Sequence, residues 1–182
     1  IYISLAGRLA EGAAYLREAV RLARQADDRL LLGRALLNLS NAVTNVDPAA
    51  GAVAAREAAA HARQAGAPYY LAAAVTNLAH ALLMLGDWDA AIAELDQAAD
   101  ADGLADVGFL ACFRGWAAAL RGDVPTAQAV LVGLGDLRSS EDSQDAALIA
   151  VTEAFTAAAD RQSAAALDHA RAALAHVPAL GI

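Results

Sequence analysis

The chain contains no lysine; all 13 of its basic residues are arginines. That absence excludes the Gly-x4-Gly-Lys-Ser/Thr loop that cradles nucleotide phosphates, so any nucleotide-handling domain is expected outside these 182 residues. Cysteine is nearly absent as well. The single Cys112 permits no internal disulfide and no Cys-x2-Cys metal pair, and there is no His-Glu-x2-His motif. A reducing, cytoplasmic setting is the simplest expectation from that usage. Aromatic residues make up only 5% of the chain, so bulky side chains cannot fill a wide core. Extended β-rich runs are missing, which excludes a sheet and leaves an all-α reading. Basic charge is also in deficit. The net charge is −8, which argues against phosphate-backbone binding, and hence direct nucleic-acid binding, by this segment.

Hydrophobic residues are plentiful at 58%, and much of that is alanine, the best helix former. Helices built this way approach one another through small side chains. One stretch, Ala65 to Gly86, carries no formal charge and is long enough to span a membrane. It holds Gly66, Pro68, Thr76, Asn77 and His80, and reads as one helix of a repeat.

A phrase returns. Arg17-Glu18-Ala19 through Arg24-Gln25-Ala26 reappears 39 positions later as Arg56-Glu57-Ala58 through Arg63-Gln64-Ala65. A fixed period of this size signals stacked helical repeats. Aspartates mark the period again. Asp47, Asp87 and Asp123 precede helix starts, two of them directly after Gly86 and Gly122, and Asp160 is expected to do the same. Their steps run from 36 to 40 residues. The pattern predicts helices over 8–26, 29–45, 48–65, 68–85, 88–101, 105–121, 124–134, 142–159 and 162–176, with a loop at 135–141 and a Ser139–Asp142 capping box.

The third pair carries the clearest motif: Val75-x2-Leu78-Ala79-x2-Leu82, then Gly86-Asp87-Trp88, then Ala91-x3-Leu95 and Ala98. It resembles the tetratricopeptide pattern, as do Gly115, Gly122-Asp123, Ala127, Leu131 and Leu134 in the next pair, and Gly7, Leu9, Gly12, Leu16 and Ala19 at the start. The resemblance implies a TPR-like α-α superhelix of about four and a half repeats over one domain, 1–182, expected to be a fragment of a larger multidomain protein. The long, alanine- and arginine-rich repeats are similar to the C-terminal arms of ATP-binding LuxR-type transcriptional regulators and of ATPase-linked adenylate or guanylate cyclases. That resemblance implies a non-catalytic regulatory arm of a bacterial signalling protein, with no cofactor, binding a protein or peptide partner or other domains of its parent. The alternative is an effector-sensing arm for a small molecule.

In tetratricopeptide arrays the first helix of each pair lines the inner groove. By that resemblance the groove positions fall on Arg34, Leu37, Asn38, Asn41, Thr44 and Asn45, then on Ala73, Thr76, Asn77, His80, Leu83 and Met84, and then on Phe109, Cys112, Trp116 and Leu120. Arg34, Asn38, Asn41, Asn45, Asn77, His80, Met84 and Trp116 are the candidate binding residues. Asparagine amides both donate to and accept from a peptide backbone. A competing reading has Asn38 and Asn77 simply bonding to neighbouring helices. His61, His169 and His176 read as surface histidines. Cys112, between Phe109 and Phe113, reads as a packed apolar residue, and Asp100, Asp102 and Asp106 around Gly103 as a solvated turn.

Overall fold

The computed structural model describes residues 8–100, 102, 104 and 107–176, for Asp136 the backbone alone. Gly7, Gly103 and Asp106, singled out above, lie outside them. The described residues are helical and contain no strand. The chain divides into two compact units, 1–104 and 105–182, each described by itself. The first holds α1 (Leu9–Gln25), α2 (Arg29–Thr44), α3 (Pro48–Ala65), α4 (Pro68–Met84) and α5 (Trp88–Asp100). The second holds α6 (Gly108–Leu120), α7 (Val124–Gly133), a single turn α8 (Gly135–Arg138), α9 (Ser143–Ala159) and α10 (Ser163–Ala175).

One turn chemistry joins most of these helices. A residue just past the helix takes a left-handed φ: Asp27 at 50°, Gly66 and Arg161 at 60°, Gly86 and Gly122 at 78°. Its N–H and that of the next residue then fold back onto orphan carbonyls. After α4, Gly86 N donates to Leu83 O at 3.1 Å and Asp87 N to Leu82 O at 2.9 Å. The same pair of bonds closes α1, α3, α6 and α9. The residue that finishes one helix also starts the next. Oδ1 of Asp28, Asp87 and Asp123 accepts from the N–H of Leu31, Ala90 and Thr126 at 2.9, 3.3 and 3.2 Å. Asp47 caps α3 through Ala50 N at 3.0 Å, with Pro48 in the first turn.

Three expectations fail at these ends. Asp160 does not open α10; it is the C-cap of α9, and the position equivalent to Asp87 and Asp123 is Gln162, whose side chain makes no cap bond. The left-handed Arg161 sets that register, 39 residues after Gly122, whereas counting aspartates gives a step two residues short. Asp142 caps α9 through Gln144 N at 2.7 Å, but Ser140 rather than Ser139 supplies the oxygen for Asp142 N, at 3.2 Å. The expected loop at 135–141 begins as a helical turn, because Leu137 packs against the cluster of Cys112, Leu134 and Ile149.

In the first unit successive helices pack side by side, and α2 also touches α4. Every buried residue of α3 is glycine or alanine: Gly51, Ala52, Ala54, Ala55, Ala58, Ala59 and Ala62. Alanine offers little apolar area, so stability here comes from backbones brought close enough for dense dispersion contact. A Cβ on Gly51 would collide with Thr44 Oγ1 and stand 3.0 Å from Thr44 Cα on α2. Beside it, α4 buries Leu71, Val75, Leu78 and Leu82 between α2, α3 and α5, while α2 adds Leu32 and Leu36 and α5 adds Leu95. That central position explains the uncharged run at 65–86. No described helix is long and apolar enough to cross a membrane. In the second unit α9 packs on α6, α7, α8 and α10. There Gly115 of α6 meets Thr152 of α9 and Val130 of α7, each 3.1 Å from where its Cβ would stand.

The repeated Arg-Glu phrase lies on the outer faces of α1 and α3, and its two copies meet: Arg24 donates to both oxygens of Glu57 at 2.7 Å. Arg63, the equivalent of Arg24, reaches Asp102 instead, at 2.9 Å. Exposed pairs of this kind add about 0–1 kcal/mol each, so they orient the surface more than they hold the fold.

Two substitutions test the packing and turn arguments by sign. Gly51→Ala raises intrinsic helix propensity yet is expected to destabilise by about 1–2 kcal/mol, because the backbone of α2 must move away. Gly133→Ala, with nothing within 4 Å of its Cβ, serves as the opposite control and stabilises or is neutral. Equal thermal shifts for the two would contradict the close-approach account. Arg161→Gly removes a left-handed arginine and is expected to stabilise by up to about 1 kcal/mol in chemical denaturation, whereas a loss would contradict the turn assignment.

Candidate functional site

The face of α2 presents Arg34, Asn38, Asn41 and Asn45 at helical spacing, so they form one stripe. Arg34, Asn41 and Asn45 are exposed and Asn38 is half-buried. On α4 the positions 39 residues later hold Ala73, Asn77, His80 and Met84, the first three half-buried and Met84 exposed. The two helices are linked beneath these stripes. Asn77 Nδ2 donates to Ser40 Oγ at 3.0 Å and to Leu37 O at 3.3 Å, while Ser40 Oγ donates to Leu37 O at 2.7 Å. Arg34 lies over the Tyr70 ring at 6.0 Å, a second tie between α2 and α4.

The asparagines therefore divide. Asn77 bonds to the neighbouring helix. Asn38, Asn41 and Asn45 make no side-chain hydrogen bond among the described residues, which leaves three amides in a row with donors and acceptors open to solvent. Thr44 and Thr76, mapped to the groove by resemblance, face the other way. Both are buried, and their hydroxyls donate to carbonyls of their own helices, Ser40 O at 2.7 Å and Ala73 O at 2.9 Å. Ser40 escaped notice as a link because a serine in an apolar helix looks like any half-exposed polar residue; its place among Leu36, Val43 and Thr44 on the buried side of α2 is the signal that marks it.

Trp116 belongs to the second unit and is described with it. Its indole Nε1 donates to Thr152 Oγ1 at 2.7 Å, and that hydroxyl donates on to Leu148 O at 2.8 Å. Its ring stands 4.1 Å from Phe113 and 5.9 Å from Phe155, centroid to centroid. Ser40 and Thr152, both fully buried, thus work the same way: each gives its proton to its own helix and accepts an N–H from another helix of its unit.

Beside Arg34, a cleft of about 20 Å³ is lined by Arg29, Gly33, Leu37, His61, Ala67 and Tyr70 among others. It has room for about one water molecule. His61, expected at the surface, is partly covered here and stands 4.0 Å from Glu57. His169 is also engaged, its Nδ1 3.1 Å from Glu153 Oε2. Among the described residues no three His, Cys, Asp or Glu side chains are grouped to hold a metal ion. Burial pushes the Cys112 thiol up from its ordinary value and disfavours the reactive thiolate. Burial lowers the pKa of His80, so its neutral form is favoured on the α4 stripe.

No protein-family model, curated protein or solved structure matches the chain.

The depressed His80 pKa has a signed consequence. Between that pKa and the unfolded value near 6.5, the unfolded chain binds the extra proton, so stability rises with pH through this window. Acidifying from above 6.5 is expected to lower the unfolding free energy, and His80→Gln should flatten that part of the profile. A slope unchanged by the substitution would show that His80 does not carry it.

Proposed function

We propose that the chain is a non-catalytic interaction arm that engages a protein or peptide through the α2–α4 face, with Asn38, Asn41 and Asn45 as its principal contacts. The observation that carries this reading is the row of three amides without intrachain partners, set along one helix stripe. Spaced this way they can pair with successive peptide groups of an extended or helical segment, each net bond contributing about 0.5–1.5 kcal/mol. Arg34 at one end, and His80 and Met84 on the parallel stripe, extend the surface with charge and apolar contact. Asn77 supports the site by fixing α4 against α2.

The wider architecture is read as a stacked array of antiparallel helix pairs resembling tetratricopeptide repeats. The left-handed turn residues recurring 36 to 39 positions apart, the α2–α4 contact and the α6–α9 contact support it. Within that reading the chain is the regulatory arm of a larger bacterial signalling protein, of the LuxR-type ATP-binding regulators in the first instance and of ATPase-linked cyclases in the second. A small-molecule effector site built on Arg34 or Trp116 is less favoured, because the cleft beside Arg34 has room for a water rather than a metabolite, and Trp116 spends its N–H on Thr152.

Peptide display against the wild-type chain and an Asn38→Ala/Asn41→Ala/Asn45→Ala variant tests the site. Selected peptides are expected to bind the variant about tenfold to several-hundredfold more weakly, with its thermal stability unchanged. Equal affinity for both would sink the amide row as the contact surface.

A further inference from the structure

Acidic residues are missing from one part of the first unit. The chain holds 21 aspartates and glutamates and a net charge of −8, yet α2 and α4 contain neither residue type. Their charged side chains are Arg29 and Arg34, both on α2. The other helices of the unit do carry acids: Glu18 on α1, Glu57 on α3, and Asp89, Glu94 and Asp96 on α5. The contact face read above is therefore acid-free within an acidic chain.

The arginines of that face have no acid of their own. Arg8, Arg21, Arg24 and Arg63 of the same unit each pair with a carboxylate. Arg29 and Arg34 make no ion pair among the described residues, and the Tyr70 hydroxyl makes no hydrogen bond there. All three line the cleft beside Arg34, together with His61. No carboxylate or amide side chain lines it to accept from them. The carbonyls that end α3 nearby are already taken: Ala62 O accepts from Ala67 N at 3.0 Å and Arg63 O from Gly66 N at 3.2 Å. Glu57, one turn before His61, is held by Arg24, and Asp28 caps α2 through Leu31 N.

Unpaired donors around a cleft with room for one water-sized atom select an anionic oxygen. We propose that the cleft takes the carboxylate of an aspartate or glutamate side chain in the segment bound by the α2–α4 face, with one oxygen in the cleft and the other against Arg34. The site rests on that face binding a peptide, and it adds the charge and orientation of the peptide. The Tyr70 ring lies under the Arg34 guanidinium at 6.0 Å and helps to hold it in place. At the far end of the stripes stands the exposed Met84. It lies 11 positions past Ala73, the register equivalent of Arg34, or about 16 Å along the helix. An extended segment thus carries its acidic residue at the Arg34 end and an apolar residue about five positions away. A basic residue at the Arg34 end meets two unpaired arginines, and acids placed elsewhere meet the −8 charge of the chain, so repulsion fixes the register as well.

Two probes test the site. Acetate is titrated against chloride at constant ionic strength, and the arginine Nε–H and Tyr70 ring signals are followed by NMR. The expected response is a saturable shift at Arg29, Arg34 and Tyr70 that Arg34→Gln abolishes. Arg17 and Arg56, exposed and unpaired on α1 and α3, should not follow it. No shift, or the same shift at all four arginines, overturns the carboxylate site. Peptides selected by display on the wild-type chain are the second probe. They are expected to share an aspartate or glutamate at a fixed distance from an apolar residue. Replacing that acid by its amide should weaken binding to the wild type at least about tenfold, and to Arg34→Gln hardly at all. Circular dichroism and thermal melting confirm that the variant folds. Peptides that depend on Asn38, Asn41 and Asn45 but share no acidic position overturn the carboxylate site and leave the amide row standing. Failure to select any peptide overturns both.

Discussion

The first unit depends on how closely α3 can approach its neighbours. With only glycine and alanine on its buried side, α3 has no large side chain to span a gap, and Gly51 sits against the Thr44 backbone. Close approach in turn requires helices that end and restart within a few residues. At α3 the two halves of that turn chemistry occur at opposite ends: Asp47 caps its start through Ala50 N, and the left-handed Gly66 closes its end, with Gly66 N on Arg63 O and Ala67 N on Ala62 O. Large side chains come from its neighbours, Leu32, Leu36 and Val43 on α2 and Leu71, Val75, Leu78 and Leu82 on α4, and α4 is apolar enough to look like a membrane span but packs between α2, α3 and α5 instead.

Close packing also decides which polar groups can be spared for binding. Ser40 and Thr152 are buried where helices meet, and each is satisfied twice, once by its own helix and once by Asn77 or Trp116. Asn41 and Asn45 are exposed on the adjoining face with Asn38 half-buried beside them, and none of the three makes a side-chain hydrogen bond among the described residues. The same spacing thus carries both an amide bonded to a neighbouring helix and amides with no intrachain partner; what separates them is whether a neighbouring helix lies within reach.

Much of the helical layout was legible in the sequence, because proline, glycine and aspartate mark helix ends by local chemistry. The spans at 48–65, 68–85 and 88–101 needed only those markers. The span of α10 is legible to within a residue, but its cap is not: Arg161 occupies a left-handed position usually given to glycine, and Gln162 replaces the capping aspartate, so the turn lacks both of its letters while keeping its geometry. The site was less legible. Resemblance placed Thr44, Thr76 and Cys112 in the groove, but a helix rotated by one position trades a solvent-facing residue for a buried one. It could not tell Asn77 from Asn38, since the partners of Asn77 lie on a helix about 40 residues away in sequence.

The division of the asparagines is the central claim, and side-chain amide NMR tests it most directly. With the four Asn NH2 pairs assigned, solvent exchange and temperature coefficients report which amides are hydrogen-bonded. The account predicts a protected, weakly temperature-dependent signal for Asn77 and solvent-like signals for Asn38, Asn41 and Asn45 in the free protein. Protection at all four, or at the α2 row with Asn77 exposed, would contradict it.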